Sequence, residues 1–339
     1  MLSASTNRVA AVTVVLVAAL ALMLAFAGSY VGAFHKPTPH SVPIAVVSAD
    51  AQAAAGTARQ LNALPGTPLD ARVAPSRAAG LRDLRQREVY GVYEVDSNTL
   101  DVAPAAGRTT GAAIEVVLDR ALAQQQRPAV TVRDVAPLPA DDPNGLAVFY
   151  VVIAWVFGGY LGATLLGLVR ETRSRSRELA LERLGALAAY AIIGAGVSLL
   201  ILNAAFGVLG GSWLAVWGAG ALIIFSAGAA TAGLQAALGM IGTGIAIVLF
   251  VIIGNAASGG AYARALLPGF WSTIGGVLPP GAGVDLTRNI LYFDGHRTLG
   301  PILVLVAWAA FGALLALALG GRVVDDETAE AEAAAAAAL

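Results

Sequence analysis

From Leu184 to Ala263 the chain carries no charged side chain, an uninterrupted run of 80 residues. A helix rises about 1.5 Å per residue and the hydrocarbon core of a bilayer is about 30 Å thick, so roughly 20 apolar residues cross it once. The run is too long for one crossing and too long for one helix of a water-soluble core. It is therefore predicted to cross a membrane three times, folding back between crossings.

The rest of the chain agrees. Its residues are 57% hydrophobic and 13% charged, against about 25% charged in soluble domains. A net charge of −1 supplies no general attraction to nucleic acid. Cysteine is absent, which excludes a disulfide frame, a thiolate metal site and a cysteine nucleophile. Lys36 is the only lysine among 21 basic residues. That bias, with the abundance of Ala and Gly, points to a high-GC bacterial genome and so to a bacterial cytoplasmic membrane.

Six apolar blocks are predicted to span, near 9–34, 147–169, 184–208, 213–234, 239–257 and 300–320. Arg8 precedes the first. Arg170, Arg173, Arg175, Arg177 and Arg183 lie between the second and third, and Arg322 follows the last. With six crossings all these arginines fall on one side, which the positive-inside rule makes cytoplasmic. Both termini are then inside, and segments 35–146 and 258–299 outside. Ala25-Phe26-Ala27 resembles a signal-peptidase site, but the apolar stretch of 26 residues from Val9 to Phe34 exceeds the roughly 7–15 of a signal core. The first block is read as a retained span; cleavage after Ala27 would leave five spans with the same sidedness.

Between the first two spans the pattern becomes periodic and predicts a small α+β domain. Ser41–Ser48 reads as a buried strand and Ala51–Leu64 as a helix ended by Pro65-Gly66. Arg72–Ala74 is a short strand candidate, and Ser76 suits the cap of a helix to about Glu88. Val89–Val95 and Leu100–Val102 form a hairpin pattern, Thr109–Gln126 an amphipathic helix, and Val130–Val135 a strand closing the sheet. His35 and His40 stand alone in the linker after the first span, without metal-ligand spacing.

The link Arg170–Arg183 holds five arginines and three glutamates. It is read in two ways: as a topological signal that also attracts anionic lipid, or as a short interfacial helix on which a cytoplasmic partner pushes. Gly158 and Gly162 form a GxxxG step in the second span, where small residues let helices approach closely. The predicted spans hold no Asp, Glu, Lys, Arg or His, against a proton-coupled carrier and a narrow ion pore. Asn203 and other uncharged polar residues can bond between helices.

The segment 258–299 is too short and too broken to cross. Pro268-Gly269 and Pro279-Pro280-Gly281 divide it. The first piece carries Leu266, Leu267, Phe270 and Trp271. The second, Val284 to Phe293, sets Asp285 and Arg288 one turn apart. Two helices dipping into the outer leaflet and returning are predicted, with an interfacial loop as the alternative. After the last span, the acidic and alanine-rich end reads as a cytoplasmic tail.

This layout resembles the ABC-2-type permease superfamily. The most family-like residues are Phe157-Gly158-Gly159-Tyr160, the run Gly254-Asn255-Ala256-Ala257-Ser258-Gly259-Gly260, Leu267-Pro268-Gly269-Phe270-Trp271, Leu278-Pro279-Pro280-Gly281-Ala282, Arg288-Asn289 and Tyr292-Phe293. Ile44-Ala45-Val46-Val47 followed by Asp50 is similar to the outer-domain start in the branch of phage-infection-protein-like and nitrosoguanidine-resistance-like membrane proteins. The resemblance implies a half-transporter without cofactor or catalytic site, pairing as a homodimer and driven by a separate ATP-binding cassette ATPase at the inner link. The chain has no GxxxxGK[ST] loop of its own, and the eight residues before its first span are too few for the amphipathic inner helix of many permeases. On this reading Arg173, Arg175, Arg177 and Glu178 are the coupling contacts, and Asn203, Asn255, Phe270, Trp271, Asp285 and Arg288 shape the path or exit of an amphiphilic substrate. The alternative is a scaffold or receptor whose outer domain binds a partner.

Overall fold

The computed structural model describes residues 2–170, 176–206 and 212–320. Six of its helices are long and apolar enough to cross a membrane: Val12–Phe34, Ala147–Val169, Arg177–Ala204, Trp213–Leu238, Met240–Ala257 and Leu299–Leu319. In chain order the helices carrying them are α1 (Leu2–Phe34), α5 (Ala147–Arg170), α6 (Arg177–Phe206), α7 (Trp213–Leu238), the compound helix from α8 (Met240–Ala246) to α9 (Gly254–Ala257), and α12 (Leu299–Leu319). The chain is a polytopic membrane protein. The edges agree with the apolar blocks except at the third, where the helix begins at Arg177 rather than 184 and carries Arg183 into the bundle.

Helix α7 is the axis of the bundle, with α5, α6 and α12 packed around it. Missing side chains make this possible. A Cβ on Gly159 of α5 would fall on the Ile224 carbonyl and the Gly228 amide of α7. A Cβ on Gly233 of α7 would collide with Gly312 of α12, whose own Cβ would collide with the backbone of Ala229 and Ala230. Lipid supplies no hydrophobic drive between helices, so backbone contact at small residues is what holds them. The GxxxG step lies within the chain but does not make a backbone seam: Gly158 and Gly162 receive the ring of Tyr190 from α6, and the neighbouring Gly159 makes the close approach.

The fifth span is wound as a π-helix over Ile247–Ile253. The Gly254 amide reaches back five residues to the Leu249 carbonyl. Such widening alters which carbonyls are satisfied within the helix, and Ser29 of α1 donates its hydroxyl to the Ile252 carbonyl at 2.8 Å. Helix α1 otherwise lies at the margin of the bundle, its apolar residues such as Val14, Leu16 and Met23 exposed.

Between α1 and α5 the chain forms a five-stranded sheet in the order β2-β1-β3-β4-β5. The strands are β1 (Val42–Val47), β2 (Leu69–Val73), β3 (Gly91–Glu94), β4 (Thr99–Val102) and β5 (Thr131–Asp134), with helices α2 (Ala51–Asn62), α3 (Arg77–Arg85) and α4 (Pro104–Ala123) against its faces. Strand β1 is parallel to β2 and to β3. Strand β3 pairs antiparallel with β4, and β4 parallel with β5. Because β1 is covered on both sides it is continuously apolar. Val42, Ile44 and Val46 face Leu61 and Leu118 on one side; Ala45 and Val47 face Leu84 on the other. Asp50 and Ser76 cap α2 and α3. The predicted helix 109–126 begins earlier, at Pro104, with a break at Gly107 (φ 152°, ψ 99°) that only glycine adopts readily. At the far end of this unit, Asp142 accepts from the amides of Leu146 (3.0 Å) and Ala147 (2.9 Å), closing the N-terminus of α5.

Candidate functional site

After α9 the chain makes a 3₁₀ turn (Arg264–Leu266) and then two short helices, α10 (Gly269–Gly275) and α11 (Pro279–Tyr292). Proline at the first positions of α11 suits a helix start, where its missing N–H has no intrahelical partner to lose. The pair is pressed tight: a Cβ on Gly281 would meet the Gly275 carbonyl, and one on Gly275 would meet the Ala257 carbonyl at the end of the fifth span. Helix α11 begins at Pro279, five residues before the stretch the apolar pattern picked out, and is buried almost throughout from Pro279 to Asn289. Its inner side packs on the bundle, where Gly283 lies against Val152 of α5 and Ile223 of α7.

The hairpin is also clasped by the α+β unit. Leu266 is not a membrane-dipping residue; it is 3% exposed and belongs to the core beneath β1, α2 and α4. Phe293 enters the core on the opposite face of the sheet. The Thr38 and His40 amides donate to the carbonyls of Leu266 (3.1 Å) and Ala265 (3.0 Å). The linker after α1 thus lies beside the hairpin's first turn.

Charge concentrates at this junction. Asp285 accepts from Arg264 (Nη1, 2.7 Å) and from Arg87 (Nη2, 3.2 Å) of the α+β unit. Arg87 also donates Nη1 to Asn289 Oδ1 at 2.6 Å, lies 5.6 Å from the Phe293 ring centre, and has a left-handed backbone with φ 56°. Arg297 donates to the Arg87 carbonyl at 3.0 Å. Asp285 and Arg288, one turn apart on α11, do not pair with each other. Instead Arg288, 5% exposed, bonds the carbonyls of Gly259 and Gly260, both at 2.8 Å, and of Gly145 at 3.4 Å. It ties α11 to the end of the fifth span and to the approach to α5. Burial lowers its pKa to about 10, with the Arg87 charge adding to the fall; it stays a cation at neutral pH. Burial alone would raise the Asp285 carboxyl, but Arg264 and Arg87 together hold it below the usual aspartate value.

The remaining path candidates are spread out. Trp271 stands over Gly32 of α1 and its indole N–H points to Ser29 Oγ at 3.4 Å. Phe270 is 55% exposed and meets the Trp271 ring edge to face. The Asn255 side-chain amide donates to the Tyr30 hydroxyl. Asn203 lies exposed near the end of α6, apart from the rest. The structure therefore brings Asp285 and Arg288 onto one buried helix, sets Trp271 and Asn255 against α1, keeps Phe270 beside Trp271, and leaves Asn203 elsewhere. The residues missed from sequence are Arg87, Arg264 and Arg297; Asn289 is singled out there only with Arg288, without a role. Arg87 and Asp285 are 198 positions apart, and no local pattern marks them as partners.

At the other end of the bundle, Arg177 and Glu178 are exposed at the start of α6, whereas Arg173 and Arg175 lie outside the described residues. Gly320, at the end of α12, lies against Ser176 and Arg177, so the link and the end of the last span share one membrane face. Arg183 is not a headgroup anchor: it is 6% exposed and donates to the Ala163 carbonyl of α5 at 2.8 Å and to Gln235 Oε1 of α7. Gln235 in turn donates to Thr243 of α8 at 2.8 Å. The absence of charge from the third span was thus an error of its edge.

Six apolar helices, with a folded α+β unit seated on one end, make a polytopic membrane protein. The chain belongs to the ABC-2 family of transporter proteins, whose model matches residues 9–318. No curated protein and no solved structure matches it.

Proposed function

We propose that this chain is an export permease that moves an amphiphilic, lipid-like substrate across a bacterial cytoplasmic membrane. It works as a homodimer and is driven by a separate ATPase. Both termini and the link 170–183 face the cytoplasm; the α+β unit and the α10–α11 hairpin stand outside, the hairpin entering the outer leaflet and returning. The observation that carries this reading is helix α5. Its C-terminus opens into the arginine-rich link, and near its other end Phe149 and Val152 lie against Gly260 and Gly283 of the hairpin region. Its 24 residues make a rod of about 36 Å. A partner that closes on the link tilts α5 and shifts the hairpin, opening a path between subunits. Arg173, Arg175, Arg177 and Glu178 are the contacts, and Phe270 and Trp271 border the exit. No step requires this chain to be an enzyme.

The test reverses charge at Arg173 and Arg177 together and measures co-purification with candidate ATPase chains. Loss of the ATPase supports the reading; unchanged binding with intact export overturns it. A second reading, partner binding by the α+β unit, is favoured by a cavity of about 740 Å³ between that unit and the segment after the fifth span, lined by Ala113, Val117 and Tyr262 among others. Deleting 41–137 separates the two. A scaffold loses all function, whereas a permease keeps part of its export.

A further inference from the structure

A second cavity, of about 550 Å³, opens where the α+β unit, the hairpin and α12 meet. Arg87 and Tyr90 come from the α+β unit, Arg264 and Asp285 from the hairpin region, and Arg297 from the turn before α12. Among the described residues, Asp285 is the only acid in the wall, and it is already engaged by both Arg264 and Arg87. Three arginines against one carboxylate leave the wall with a net excess of two positive charges. Arg297 is exposed and, among the described residues, donates only to a backbone carbonyl. The buried Nε–H of Arg87 has no hydrogen-bond partner among the described residues. Gly300, Pro301 and Val304 complete the wall from the first turns of α12, where an apolar span meets the interfacial zone. Leu303, on the same turn, is an exposed apolar side chain, 57% accessible.

We propose that this cavity binds a phosphate group, and that its occupant is the head group of an anionic phospholipid or similar amphiphile in the leaflet on the α+β side. Guanidinium groups match phosphate oxygens with paired hydrogen bonds and a full charge. The volume suits a head group and excludes a whole lipid. The apolar first turn of α12 gives the tail a way out along the span. A zwitterionic lipid presents no net charge to the surplus arginines and is held less well. The inference rests on the permease reading for the fate of the ligand, but the binding itself is measured without transport.

The full chain is purified, incubated with equal amounts of phosphatidylglycerol and phosphatidylcholine, and its retained lipids counted by native mass spectrometry. The expected result is preferential retention of phosphatidylglycerol. Gly300→Glu adds one negative charge at an exposed position with open space around its Cα and breaks no bond; it reduces the preference about fivefold, as for one charge near an anionic head group. Arg297→Glu changes the charge by two and reduces it about 30-fold, while Arg297→Lys largely keeps it. If inorganic phosphate stabilises the wild type, but not Gly300→Glu, and phosphatidylglycerol is not preferred, the site takes a free anion and the lipid occupant is wrong. Equal retention of both lipids, with no effect of phosphate, overturns the site altogether. A protein that fails to export yet keeps the preference refutes the permease reading alone; one that exports without it refutes the site alone.

Discussion

Replacing Asp285 with Asn removes one charge and little volume, and it tests what holds the α+β unit on the bundle. The carboxylate is the shared acceptor of Arg264 and Arg87. Removing one partner of a fully buried ion pair costs about 3–5 kcal/mol. Here the side chains of Arg87 and Arg264 are 11% and 29% exposed, and Asn still accepts one hydrogen bond, so about 2 kcal/mol is the expected loss. That corresponds to an opening of the junction about 30 times more frequent. The amides of Thr38 and His40 report it directly, since their acceptors are the carbonyls of the turn that Arg264 begins. Hydrogen exchange there accelerates about 30-fold in the variant. The Ala71 amide, held by Asn62 inside the sheet, exchanges as in the wild type. The pH dependence has a definite sign. Because the folded carboxyl lies below its ordinary value, its contribution is fully present above the ordinary aspartate pKa and disappears as the pH falls through the depressed one. In the wild type the protection of Thr38 and His40, corrected for intrinsic exchange, holds from neutral pH down to about pH 5 and falls below it; in Asp285→Asn this step is absent. Unchanged exchange at Thr38 and His40, or equal acceleration at Ala71, refutes the argument.

Two further predictions concern the bundle. Gly312→Val sets a branched side chain where even a Cβ meets the α7 backbone; it separates α12 from α7, costs about 1–3 kcal/mol or more, and lowers the melting temperature in detergent, whereas Gly185→Ala, at a position with open space, leaves it unchanged or raised. Arg183→Ala removes the donor to Gln235 and Ala163 and costs about 1–3 kcal/mol; Arg183→Lys fails to restore the melting temperature because an ammonium cannot reproduce the fork of the guanidinium.

The spans were legible because a bilayer imposes one simple demand, about 20 apolar residues per crossing, and the chain meets it six times. The β1 strand and the cap at Ser76 are legible for similar local reasons; the cap at Asp50 emerges only from the fold. The third span starts earlier than its apolar block, because Arg183 lies inside it and is not its boundary. Its guanidinium is instead satisfied by Gln235 and Ala163 from other helices, which the sequence of α6 alone does not reveal. The GxxxG step pointed to the right helix and the wrong glycines: spacing identifies small residues, but the crossing of α5 and α7 decides that Gly159 faces the α7 backbone. The junction was the least legible part. Asp285 and Arg288 stand out by themselves, but their partners Arg87, Arg264 and Gly145 come from other stretches of the chain.

The central claim is that the α+β unit and the link 170–183 lie on opposite faces of the membrane, the unit outside. The absence of native cysteine allows a clean measurement: single cysteines at Ser97 and Ser174, each labelled in intact cells with a membrane-impermeant maleimide. The account predicts labelling at 97 in intact cells and at 174 only after permeabilisation. Labelling at 174 but not at 97 in intact cells, or at both, contradicts it.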